Sequence, residues 1–265
     1  FYYRGLAYRA LGQMDEAYAN LGRATWYYPW FSAANFQLAQ MEALSKNYTK
    51  ALGYIIEAYS TNTRDPRITI LYSALLRKVK KNEEAKIIID ELLFYDPLNF
   101  TALYENNLLN GKVSMEEWYM NMQDVDNNHL EVVTHYMNAG LSDEGISLLT
   151  SLGKSKNPLL DYYLAWFYAQ NGDGEKSLRH AKSASTKSLE YVFPYRIETE
   201  KVMRKAIELN PEDGVAHYLL GNLLYDKRPK EAMKSWQRAA EVDGSMAMVW
   251  RNMAFAAYYH QKEPK

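Results

Sequence analysis

Few residues in this sequence have the type and spacing that catalysis or metal binding requires. His129 and His135 are six positions apart, do not share a helix face, and lie in no HExxH pattern. They read better as packing or surface histidines than as zinc ligands. Asp124, Asp126 and Asn128 alternate like the start of a calcium loop. The Gly at the sixth position and the Glu at the twelfth, where His135 stands, are missing, so a polar turn between helices explains them better. Gly172 and Gly174 lack the preceding strand that a phosphate-cradling loop needs. No Ser, His and acid form a local signature, although one sequence leaves a dispersed triad open. The Lys78–Lys81 cluster faces Glu83 and Glu84 and reads as a solvated helix face. The expectation is a chain with no catalytic, cofactor-binding or metal-binding residues, and not an enzyme.

Composition points the same way. The chain has 265 residues, a formal net charge of −1 and no Cys. The near-zero charge gives no nucleic-acid footprint, and zero Cys removes disulfides and thiolate metal sites. Gly and Pro are few, while Leu, Ala, Tyr, Lys and Glu dominate, which favours an all-α fold. No apolar run reaches the roughly 18–20 residues of a membrane span. No signal peptide is visible. Phe1 is not Met, and a helix pattern is already running at Phe1–Gly5, so the chain reads as part of a longer protein that cannot report its own targeting.

The elements are clearest between Glu208 and Gly244. Asn210-Pro211 ends one helix, and Pro211, Glu212 and Asp213 suit the first turn of the next. Leu220, Leu223 and Leu224 then recur at helical spacing. Gly221 sits mid-helix, where it costs about 1 kcal/mol relative to Ala and makes sense only under a closely packed neighbour. Asp226–Lys230 turns the chain, and Ala232, Trp236 and Ala239 share one face of a second helix. This spacing resembles the tetratricopeptide repeat (TPR), a 34-residue helix–turn–helix with an L-G pair in its first helix. Leu220-Gly221 is that pair. The inner turn is one residue short, and Gly244 stands where Pro is usual.

Read in this register, repeats cover 1–31 (Gly5, Tyr8, Ala17, Leu21, Ala24, with Pro29 closing), 32–65 (Leu38, Ala39, Ala51, Ile55, Ala58) and 66–99 (Tyr72-Ser73, Ala85, Ile89, Leu92). Weaker copies follow at 100–125, with a second helix around Glu116–Met122, at 126–157 and at 158–184. An irregular segment and a lone helix occupy 185–213, a further repeat 214–246, and a terminal helix 247–260. The segment from YVFPYRIETEKV onward also resembles the C-terminal arrays of large bacterial multi-domain proteins that carry an N-terminal β-rich domain of uncharacterised function.

The TPR resemblance implies an all-α superhelix, a single solenoid over 1–265 of stacked antiparallel hairpins, with first helices lining a concave groove. It places Tyr2, Phe36, Ile70, Tyr104, Leu130, Tyr162, Tyr218 and Arg251 at groove-facing positions, with Trp166, Tyr225 and Tyr258 at further ones. Asn222 alone stands at a position that chaperone-binding TPRs use to clamp a peptide carboxylate. The bland alternative is that these rings pack on adjacent helices. The expected function is a protein-interaction scaffold that holds an extended peptide or partner protein. A carbohydrate-binding or substrate-presenting arm of a larger sugar-active protein is the alternative, and self-association through the last helix and the groove is a third.

Overall fold

The computed structural model describes residues 1–110, 118, 122, 125–153 and 155–261, with side chains to 259. The fold is all-α: the described residues form fifteen helices and no strand. The chain divides into two compact units, 1–144 and 145–265. The helix expected around Glu116–Met122 lies outside the described residues, apart from Trp118 and Met122, both buried.

Unit 1 holds α1 (Tyr2–Ala10), α2 (Met14–Ala24), α3 (Tyr28–Leu44), α4 (Tyr48–Thr61), α5 (Pro66–Lys78), α6 (Asn82–Tyr95), α7 (Phe100–Asn110) and α8 (Asp126–Asn138). The first turn of α9 (Ser142–Ser151) completes it. Helices α1/α2, α3/α4 and α5/α6 are hairpins, and each hairpin packs on the next. The packing repeats at the 34-residue period: Ala17, Ala51 and Ala85 are fully buried, as are Leu21, Ile55 and Ile89. A Cβ on Gly5 would lie 2.7 Å from Leu21 Cγ, so only glycine allows this approach of α1 to α2. At the equivalent place in α5, Ser73 is tolerated with no exposure because its hydroxyl donates to the Ala85 carbonyl at 3.1 Å.

The turns share one left-handed residue. Gly12, Lys46 and Lys80 have φ of 76°, 60° and 65° at the same 34-residue spacing. A non-glycine residue pays roughly 1–2 kcal/mol there, so in the second and third hairpins helix packing, not glycine, imposes the turn. Pro29 does not close the first repeat. It lies in the first turn of α3, where its missing N–H costs nothing. Pro66 likewise opens α5, with Asp65 capping it through the Arg67 N–H.

Within unit 1, α8 and the turn after it lie against the first helices of the earlier hairpins. Arg9 Nη2 donates to the Asn138 carbonyl at 3.0 Å, and Arg9 Nη1 donates to Gln37 and to Gln40 Oε1 (2.7 Å). A Cβ on Gly140 would lie 2.9 Å from Leu44 Cα. Helix α3 is therefore covered on more than one side and buries every residue from Leu38 to Ala43. Arg9 meets no carboxylate at ion-pair distance among the described residues. Burial brings its guanidinium down to about 10, and its stabilising contact is the negative C-terminal end of α8.

Unit 2 holds α10 (Pro158–Gln170), α11 (Gly174–Ala184), α12 (Glu198–Leu209), α13 (Gly214–Leu224), α14 (Pro229–Val242) and α15 (Ala247–Gln261), following the rest of α9. Helix α10 buries everything from Pro158 to Phe167, because α11 and α12 both pack on it. Helix α13 starts later than Pro211 suggests. Asp213 is its N-cap and accepts from the Ala216 N–H at 2.9 Å, which leaves Pro211 and Glu212 in the preceding turn. No described helix is long and apolar enough to cross a membrane.

Candidate functional site

The positions expected to face a groove separate into three groups. Tyr104, Tyr162, Trp166 and Tyr218 are buried, as are Ile70 and Leu130. For two of the tyrosines the hydroxyl explains why burial is tolerated: Tyr104 donates to the Glu144 carbonyl at 3.1 Å, and Tyr162 donates to both Asp213 carboxylate oxygens at 2.9 Å. Desolvation and the Asp213 charge push the Tyr162 hydroxyl far above the usual tyrosine range, so it remains a donor. Tyr2 and Phe36 are half-buried. Tyr2 stacks on Trp30 with centroids 4.9 Å apart, and the Arg67 guanidinium lies 5.9 Å over the Phe36 ring.

Asn222, Tyr225, Arg251 and Tyr258 retain exposed surface. Two of them, Asn222 and Arg251, belong to one hydrogen-bonded network on α13–α15. Trp236 Nε1 donates to Asn222 Oδ1 at 3.1 Å, and Asn252 Nδ2 donates to the same oxygen at 2.9 Å. Arg251 donates to Asn252 Oδ1 through Nε and Nη2. An indole N–H and a guanidinium can only donate. That fixes which way both amides point and turns the Asn222 NH₂ away from its two donors. This NH₂ has no acceptor among the described residues. Tyr225 packs on Trp236 with centroids 5.2 Å apart, and Tyr258, seven residues after Arg251, lies on the same side of α15. Asn252 and the Trp236 N–H were not singled out in the sequence. An Asn two turns from an exposed Tyr is too common a signal.

A second polar cluster escaped the sequence reading. Asp161 on α10 meets His180 Nδ1 at 2.8 Å, Ser183 Oγ at 3.0 Å and Lys187 Nζ at 2.5 Å. His180, Ser183 and Lys187 follow the i, i+3, i+7 spacing of one helical face, which is the signal that could have found it. His180 and Ser183 share this carboxylate and do not bond each other, so the cluster is no nucleophile–base pair. It is a tie that holds the segment after α11 onto α10, with Lys187 also donating to the Ser155 carbonyl at 2.6 Å. Burial alone would raise the Asp161 carboxyl, but His180, Lys187 and Ser183 outweigh it and hold it below its usual value. A depressed folded-state value gives stability that is present above the unfolded value of about 4 and lost as pH falls through the folded one. Calorimetric melting of wild type should therefore fall steeply as pH drops below about 4. Asp161→Asn should start lower and flatten that fall, and equal slopes for the two would count against the tie.

No family model matches the chain. Among solved structures it is similar to a tetratricopeptide repeat protein from Parabacteroides merdae, at 15% identity over 96% of each chain with a TM-score of 0.42. It is also similar to the TPR domain of P58(IPK), at 10% identity over 99% of this chain and 65% of that one, TM-score 0.37. MamA from Desulfovibrio magneticus RS-1 matches at 16% identity over 82% and 97%, TM-score 0.29.

Proposed function

We propose that the chain is a non-catalytic interaction scaffold, and that it binds an extended segment of a partner protein on the α13–α15 face. The observation that carries this is the Asn222 amide. Its oxygen is held by two donors, so its NH₂ is preorganised to donate to a main-chain carbonyl without first losing rotamer freedom. Arg251 beside it adds a cation whose bonds go only to the neutral Asn252, which suits a carboxylate. Tyr225 and Tyr258 add rings of large contact area and low entropy cost. The face thus offers donors and aromatic surface, and the matching ligand is an extended peptide with an acidic side chain.

Selection of peptides from a random displayed library on the wild-type chain tests this reading. Selected peptides should be enriched in Asp and Glu. Asn222→Ala or Arg251→Ala should weaken them about tenfold, the loss of one charge-assisted or preorganised hydrogen bond. Binders indifferent to both substitutions would overturn the assignment. So would a chain that retains glycans on an array and selects no peptide.

A further inference from the structure

Between α11 and α12 the chain has no helix from Ser185 to Ile197. From Tyr191 onward its burial alternates: Tyr191, Phe193, Tyr195 and Ile197 are 85%, 70%, 60% and 80% exposed, while Val192 is 5% exposed. From Val192 to Arg196 this period of two belongs to extended backbone, and Pro194 requires the same of Phe193; Tyr191, left-handed at φ 58°, and Ile197, helical at φ −62° and ψ −30°, turn the chain at either end. In an extended chain, successive residues direct their N–H and C=O to opposite edges. The even edge is used internally. Val192 N–H donates to the Leu189 carbonyl at 3.2 Å, and the Arg196 carbonyl accepts from Thr199 N–H at 3.1 Å. The odd edge is open: neither the N–H nor the C=O of Phe193 or Tyr195 has a hydrogen-bond partner among the described residues. Pro194, which has no N–H, falls on the even edge and does not interrupt it.

We infer that this open edge pairs with the same edge of a second copy of the chain, antiparallel about a two-fold axis at Pro194. What the edge lacks is another main chain, since only an extended backbone supplies N–H and C=O at this alternating spacing. The sequence of the segment fits itself. In the two-fold register Phe193 faces Tyr195 of the second copy, and the two residues exchange both N–H···O bonds. The symmetric pair does the same. Pro194 then faces Pro194 of the second copy as a non-hydrogen-bonded pair, where no N–H is needed. Both hydrogen-bonded pairs thus join large aromatic side chains, Phe193 of one copy with Tyr195 of the other. An exposed apolar edge of this kind is otherwise a liability in a folded chain.

The chain contains no Cys, so a single introduced thiol reports the register directly. Residues opposed in a non-hydrogen-bonded pair have Cα atoms about 4.5 Å apart, within disulfide reach. Pro194→Cys should cross-link to itself under mild oxidation much faster than Ser188→Cys, which the same register places far from its own copy. Sedimentation velocity should show a concentration-dependent dimer for the wild type and a monomer for Tyr195→Pro, which removes one N–H of the open edge, with Tyr195→Phe remaining dimeric. Circular dichroism of Tyr195→Pro matching wild type would separate loss of pairing from loss of fold. A wild type that stays monomeric while Pro194→Cys reacts no faster than Ser188→Cys overturns the inference, including where the edge takes up an added extended peptide instead. A dimer that survives Tyr195→Pro also overturns it, because another surface then holds the copies together.

Discussion

Arg77→Met should destabilise unit 1 by about 3–5 kcal/mol, the cost of stranding a buried charge. Arg77 meets Glu105 through Nε (2.7 Å) and Nη2 (3.2 Å), and Glu144 through Nη1 (3.0 Å). Glu105 has no exposure at all and Glu144 is 4% exposed. Burial would lower the Arg77 guanidinium, but the two carboxylates hold it above its usual value. Without Arg77, Glu144 keeps Lys78 at 2.7 Å, but among the described residues Glu105 keeps only the Tyr136 hydroxyl at 2.8 Å. The loss should therefore come from the isolated Glu105 charge, not from the attraction removed. Arg77→Met/Glu105→Leu/Tyr136→Phe removes the charge and both of its partners, and should recover most of the stability. Urea titration of the single and triple variants decides between the two sources, and a triple variant as unstable as the single one would show that the attraction itself is what matters. Because the network joins α5 and α7 to α8, hydrogen exchange in Arg77→Met should rise first in α8.

The hairpins were legible because a helical period fixes which positions meet within one hairpin. Ala17, Ala51 and Ala85 lie on the facing side of each second helix whatever else surrounds them. Gly5 is needed for the same local reason. The far side of each first helix was not legible in that way. Whether Tyr104 or Tyr162 meets solvent depends on groups 40 and 51 positions away, Glu144 and Asp213, which no periodicity announces. Tyrosine is ambiguous at such a place, since its ring accepts burial and its hydroxyl needs one partner. The α13–α15 face was half legible. Asn222 stands out by position, but its orientation is set by Trp236 on α14 and Asn252 on α15. The open edge at Phe193 and Tyr195 could be seen only as a break in the helical pattern. Its unpaired backbone is a property of three dimensions.

Gly221→Ala should destabilise unit 2, whereas Gly53→Ala should stabilise unit 1, though both glycines are helical. Each substitution gains up to about 1 kcal/mol of helix propensity. At Gly53 the new methyl meets nothing within 4 Å, so the gain stands alone. At Gly221 it would lie 2.3 Å from Trp236 Cδ1 and Nε1. The indole cannot yield cheaply. It is rigid, 3% exposed, and tied to Asn222 through its N–H. Overpacking of this kind costs about 1–3 kcal/mol, which exceeds the propensity gain and reverses the sign. The displaced indole also releases Asn222 Oδ1, so peptides selected on the wild-type face should lose affinity along with the loss in melting temperature. Trp236→Leu makes room for the methyl, and the double-mutant cycle with Gly221→Ala should therefore show a favourable coupling of about 1 kcal/mol or more. Strict additivity, or a Gly221→Ala chain that melts above wild type, would mean that α13 and α14 approach each other less closely than Gly221 and Trp236 require. The orientation of Asn222, and with it the proposed peptide-binding face, would then lose its support.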